Sequence, residues 1–214
     1  MIPRPLVLDL NASYTFRSYF ELRFAPVDIL ADLGCHLVRR SLSLPRSPWS
    51  VEALKQRITN YLPYINLTSE DARKQSLVAP VLLELAQTIQ APLQIEYPIF
   101  INQYLKGDLD YFLSQGDQLL VVEAKNADLT RGFVQLAAEL IGLNLWLAKR
   151  QGRENLANPL VGAVTTGDIW QFGRYDPLAQ EIAQDLTLYR LPDDIEVLAE
   201  ILKAIVSEDK DDYV

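Results

Sequence analysis

The apolar positions of this chain repeat with two periods, and the switches between them mark out the elements. Leu119 to Val122 is a run of four apolar residues that ends in Glu123-Ala124-Lys125. Turn residues bound it on both sides, so it predicts a strand buried on both faces. Just before it, Asp108 to Leu113 alternates charged or bulky residues with apolar ones, and Ser114-Gln115-Gly116-Asp117 reads as the turn of a hairpin. Upstream, Leu93, Ile95, Tyr97, Ile99 and Ile101 alternate with Gln94, Glu96, Pro98, Phe100 and Asn102. That predicts a strand with one buried face, and Pro98 places it at an edge or a bulge. Downstream, Leu160–Thr165 and Ile169–Tyr175 read as paired strands around Thr166-Gly167-Asp168, with Trp170 and Phe172 as packing residues.

Helical spacing appears in four further stretches. Val51, Leu54, Ile58 and Leu62 predict a helix that Ser50 caps and that runs to about Pro63. A second helix begins near Thr68 or Ser69, with Leu77, Val81, Leu82, Leu85 and Ile89 as its stripe; Pro80 must kink or interrupt it. A third runs from about Leu129 to Lys149 with Phe133, Leu136, Leu140 and Leu147 inward, and Lys149 to Glu154 follows as a charged loop. A closing helix covers Asp194 to Val206. From 68 to 175 the order is therefore helix, three strands, helix, two strands, an α/β layered arrangement. Residues 1–50 are less regular. Val7 to Leu10 suggests a short strand, Tyr14 to Phe24 fits no single period, and Ala25 to Leu33 suggests a short helix with Pro26 in its first turn and Gly34 past its end. Leu37 to Leu44 suggests another strand.

Composition narrows the chemistry. The 214 residues are 49% hydrophobic and 22% charged, enough for one domain with a sizeable core. No apolar run has membrane-spanning length and the N-terminus lacks the regions of a signal peptide, so a cytoplasmic protein with no membrane partner is expected. Cys35 and His36 are the sole cysteine and histidine. That leaves no disulfide framework and little material for zinc or triad chemistry, and His36 reads as structural. The net charge of −8 excludes a generic nucleic-acid coating protein. Part of it lies in the acidic tail 207–214, SEDKDDYV, which reads as a solvated terminus. Arg39, Arg40 and Arg46 read as snorkelling surface residues, with phosphate contact as the alternative.

The end of the buried strand carries the candidate chemistry. Residues i and i+2 of a strand share a face, so Glu123 and Lys125 lie side by side while Ala124 turns away. A carboxylate and an ammonium there cost desolvation energy that something local must offset. Asp110, one strand over, brings a second carboxylate close enough to share a cation. Two oxygen donors plus water suit a hard divalent ion such as Mg²⁺ or Mn²⁺. The adjacent lysine suits a phosphate under attack or the attacking water. Arg131 and Gln135, four apart near a helix start, share a face that can approach phosphate.

Gly107, Asp110-Tyr111, Glu123-Ala124-Lys125 and Gln135, in this order of elements, resemble a bacterial-type member of the PD-(D/E)xK nuclease superfamily, the restriction-endonuclease-like fold. The resemblance covers about residues 66–175. One departure is that Leu109, rather than proline, precedes the aspartate. The resemblance implies an αβββαβ core with a mixed central sheet flanked by helices over 66–206, including the closing helix. Residues 1–65 would then be an N-terminal α+β elaboration packed on it. It also implies an endonuclease activity in which Asp110 and Glu123 hold Mg²⁺ or Mn²⁺, Lys125 assists the chemistry and Gln135 orients Lys125 or phosphate. In the family a glutamate from the preceding helix often completes the acidic cluster. Glu70 fits that place, with helix-dipole capping as its alternative role and Glu84 as the substitute acid. DNA is the implied substrate. A homodimer is compatible with cutting two strands, which needs two sites, but no residue pattern marks an interface. Two alternatives stand beside this reading. One is a non-catalytic nuclease-fold protein acting in DNA binding or protein assembly, and the other is a plain ion pair between Glu123 and Lys125.

Overall fold

The computed structural model describes residues 6–9, 11–115, 118–125 and 128–207. Gly116 and Asp117 of the expected turn, Leu10 of the first expected strand and tail residues 208–214 lie outside them. The protein is α/β. Among the described residues the strands form one mixed eight-stranded sheet with helices on both faces.

The sheet is built around β4 (Gln118–Ala124) and its hairpin partner β3 (Lys106–Gln115), which pair antiparallel with Tyr111 opposite Val122. β2 (Leu93–Phe100) pairs with β3 and forms the edge where Pro98 belongs, since an edge strand needs no N–H there. Its alternation is only partly kept. Ile99 is buried, but Ile95 is 56% exposed, next to Glu96 at φ 51°. On the other side β4 runs parallel to β5 (Leu160–Thr165), which pairs antiparallel with β6 (Ile169–Asp176). Beyond β6 come β7 (Glu181–Asp185) and, parallel to β7 at the far edge, β1 (His36–Arg40); the short β8 (Tyr189–Arg190) also pairs with β6.

One face of the sheet packs on α3 (Glu52–Tyr61), α5 (Ala79–Ile89) and α7 (Ile195–Val206), with Leu113, Leu120, Val122, Trp170 and Phe172 as the sheet's contribution. The other packs on α1 (Phe16–Glu21), α2 (Pro26–Asp32) and the long α6 (Leu129–Arg150), against Leu109, Phe112, Val121, Val164 and Ile182. The parallel β4–β5 step is crossed by α6, as a parallel pair requires. Trp170 and Phe172 are fully buried, in keeping with packing.

Where the N-terminal third departs from its sequence pattern, side-chain bonds decide the outcome. Residues 7–9 form no strand, because the N–H groups of Val7 and Leu8 both donate to Asp32 Oδ2, at 2.7 and 2.9 Å, and tie the chain to the end of α2. The aperiodic Tyr14–Phe24 stretch contains α1, started by Thr15 and Ser18 capping one another and anchored by buried Phe16 and Tyr19. The expected strand to Leu44 stops at Arg40, where its partner β7 ends at Asp185; Asp185 Oδ1 then accepts the N–H of Leu42. Ser50 does not cap α3; Val51 takes that position, with no side-chain cap.

The Pro80 interruption has a specific form. Ser69 caps α4 (Glu70–Arg73), accepting from the Ala72 N–H at 3.1 Å, and residues Lys74–Val78 then form a π-helical turn before α5. Pro80 has no N–H to return to the carbonyl four residues back, which is that of Ser76. The Tyr61 hydroxyl donates to that carbonyl instead, so the interruption is satisfied from α3. The wide turn carries Lys74 at its start.

Candidate active site

The candidate site lies where β4 ends, between the start of α6 and the π turn. Extending the β3–β4 register by one position sets Asp110 opposite Glu123. Asp110 Oδ2 accepts the N–H of Ala124 at 3.0 Å, which fixes the carboxylate against the end of β4. The ladder to β5 continues to Lys125, whose N–H donates to the Thr165 carbonyl at 2.7 Å. Glu123 and Lys125 share the α6 face of the sheet and form an ion pair through Glu123 Oε1. Glu123 is fully buried and Lys125 is 8% exposed, so this is an interior pair and not a surface one.

Backbone placement explains how the lysine fits. A Cβ at Gly132 would stand 2.7 Å from Val164 Cγ2 and 3.1 Å from Lys125 Cγ. The bare glycine lets the first turns of α6 lie directly on the lysine stem. The Lys125 ammonium also sits 5.4 Å from the ring centroid of Phe20 on α1, a cation–π distance.

Two further residues of α6 complete the interior of the site. Gln135 is buried at 4% exposure and donates from Nε2 to Glu139 Oε1 at 2.9 Å. Glu139 is fully buried near the Glu123 charge, and its Oε2 has no hydrogen-bond partner. Burial, followed by the Glu123 charge, pushes the Glu139 carboxyl well above the ordinary range. Burial, followed by Asp110, also raises Glu123, and Lys125 only partly offsets this. Lys125 goes the other way for its class. Burial works to lower it, but Glu123 first, then Asp110 and Glu70, outweigh burial and hold the ammonium charged.

Asp110 Oδ1 accepts from Lys74 Nζ at 2.9 Å, and the same ammonium lies 3.1 Å from Glu70 Oε1. Burial opposes the Lys74 charge; Asp110 and Glu70 overcome it and raise its pKa. Glu70 thus reaches the cluster through Lys74.

The residues singled out in the sequence therefore separate into two sets. Asp110, Glu123, Lys125 and Gln135 come together, and Glu70 joins through Lys74. Arg131 is exposed and pairs with Asp128 at 3.2 Å, whereas Gln135, one turn further on, is buried. Glu84 pairs with Arg57 on α3 at 2.8 Å. Arg39 and Arg40 are on β1, with β7, β6 and β5 between them and β4, and they pair with Gln184 and Glu181. His36 Nε2 lies 3.3 Å from Glu181 Oε2 on that same edge.

Sequence reading did not single out Glu139 or Lys74. Each had a signal: Glu139 is a lone carboxyl inside the apolar run Val134–Leu143, four residues after Gln135, and Lys74 stands four residues after Glu70. Among the described residues no group of three or more His, Cys, Asp and Glu side chains is arranged to hold a metal ion. What is present is a pair of carboxylates on adjacent strands, and Glu123 Oε2 is buried without a hydrogen-bond partner. That donor set fits a hard divalent ion that keeps several waters. No protein-family model matches the chain, and no curated protein matches it.

Proposed function

We propose that the protein is a divalent-metal-dependent nuclease with a restriction-endonuclease-like core, hydrolysing DNA phosphodiester bonds at Asp110, Glu123 and Lys125. The observation that carries this reading is the interior Glu123–Lys125 pair set directly beside Asp110 at the end of a buried strand. An ion pair that only stabilised a strand end would sit more cheaply at the surface. The order α5, β2, β3, β4, α6, β5 supports the core assignment, with the parallel β4–β5 pair across α6.

Asp110 and Glu123 would hold Mg²⁺ or Mn²⁺, which supplies Lewis-acid polarisation of the phosphate and a water of lowered pKa. The chain's own groups do the rest. Lys125 stays protonated, so it acts as a hydrogen-bond donor to charge developing on the phosphate and not as a base. In the hydrolysis the oxygen of water bonds to phosphorus, one ester P–O bond breaks, and the proton from water ends on the leaving oxygen. Gln135 is turned inward, so it positions Glu139, and through it Glu123, and does not touch phosphate. Substrate would enter from the side of Asp110, Lys74 and Glu70, the more exposed members of the cluster, since Phe20 covers Lys125.

A second reading keeps the fold but not the reaction: a DNA-binding or assembly protein in which Lys74 permanently supplies the positive charge between Glu70 and Asp110. The Lys74 bridge is the observation in its favour. Cleavage of labelled duplex and single-stranded DNA in Mg²⁺ or Mn²⁺ tests the first reading. Wild-type protein is expected to cut, with Lys125→Met and Glu123→Gln each slower by at least about a hundredfold. Cleavage that survives both substitutions would come from a contaminant or another site, and would refute the assignment.

A further inference from the structure

Lys74 has no part in the chemistry derived above, yet it makes the closest contacts with the one carboxylate oxygen the ion would use on Asp110. Its ammonium is 2.9 Å from Asp110 Oδ1 and 3.1 Å from Glu70 Oε1, and its side chain is 20% exposed. The other Asp110 oxygen is committed to the Ala124 N–H. A cation approaching Asp110 from the open side therefore meets an oxygen already paired with a charge of its own sign.

We infer that Lys74 is an exchangeable counter-ion of the site: it holds Asp110 Oδ1 from the side of Glu70, and a divalent ion binds at Asp110 and Glu123 by displacing it from that oxygen. This rests on the metal-site reading of Asp110 and Glu123. The location of Lys74 makes displacement feasible. It opens the π turn of Lys74–Val78, where the helix ladder is already interrupted ahead of Pro80, and its four-carbon stem lets the ammonium leave Asp110 while staying near Glu70. Freed from Asp110, the ammonium remains at the mouth of the site, where a phosphate would enter. Lys74 thus sets the site's affinity for the ion and is a positioning residue, not a catalytic one.

The test is calorimetric titration of Mn²⁺ into the full chain without DNA, comparing wild type with Lys74→Gln and Lys74→Arg. The glutamine can still donate to Asp110 Oδ1 but carries no charge, which guards against an unfolded variant; the arginine keeps both charge and bond. Lys74→Gln is expected to bind Mn²⁺ about tenfold or more tightly than wild type, and Lys74→Arg to stay near or below wild type. Binding by Lys74→Gln alone, lost again when Asp110→Asn is added, would support the exchange while removing the catalytic reading of the native chain. Equal or weaker binding by Lys74→Gln, beside a wild type that binds, would overturn the exchange and leave the metal site standing. Binding by neither would overturn both.

Discussion

At the scale of single residues, the site is governed by how buried carboxyls share charge. Glu123 and Glu139 are both fully buried, and burial first, then neighbouring negative charge, raises both carboxyls. Both carboxyls are raised in the folded protein, so the stability they contribute is complete below the unfolded carboxylate pKa and is lost as pH rises through the folded values. Glu139→Gln keeps the side-chain volume and removes one titrating group. Its melting temperature should fall less than that of wild type as pH is raised from the ordinary carboxylate range upward. Parallel melting curves for the two proteins would show that Glu139 does not titrate in that window. Asp110, Glu123 and Lys125 were legible in the sequence because a period of two assigns faces and a hairpin assigns neighbours. Gln135 was legible as a candidate, but not as a buried residue, since α6 is apolar on more than one side and a lone polar position there has two readings. Lys74 makes the i,i+4 pair with Glu70 that helical spacing allows, but its contact with Asp110 joins residues 36 apart in sequence, which no local pattern shows.

At the scale of elements, the sequence pattern was clearest where burial was two-sided or the stripe was long. β4, α6 and α7 follow their patterns closely, and the β5–β6 pair lies where alternation placed it. The N-terminal third was harder because its structure depends on distant side chains: Asp32 holding Val7 and Leu8, or Phe16 lying against the backbone of Gly107. Gly107 itself sits at φ 134°, which L side chains rarely adopt, and an added Cβ would stand a tight 3.3 Å from the Phe16 nitrogen. β7 and β8 were missed because they are short and carry charged or polar ends. The π turn shows the same dependence on long-range partners. Pro80 dictates an interruption, and Tyr61 on α3 supplies the donor for the carbonyl it leaves. Tyr61→Phe leaves the Ser76 carbonyl without that donor and should cost about 1–2 kcal/mol of unfolding free energy in urea titrations. A change below a few tenths would mean that water replaces the hydroxyl at no loss.

For the whole molecule, the constraint is charge. A net charge of −8 keeps DNA away unless the acidic cluster is neutralised locally. The structure concentrates several acids, Glu70, Asp110, Glu123 and Glu139, around two lysines at one end of the sheet, and both helical layers meet there through α4, the π turn, α1 and α6. The N-terminal residues take part in the whole: β1 closes the far edge of the sheet, α1 covers Lys125, and α3 supports the turn that carries Lys74. No helix among the described residues is long and apolar enough to cross a membrane. The proposed site stands or falls on whether Asp110 and Glu123 take one divalent ion between them. The most direct measurement is calorimetric titration of Mn²⁺ into wild type, Asp110→Asn and Glu123→Gln at the same pH. One ion per chain in the wild type, weakened about tenfold or more by either substitution, is the predicted result. No binding in the wild type, or binding indifferent to both substitutions, would contradict the account and leave Glu123 and Lys125 as a structural pair.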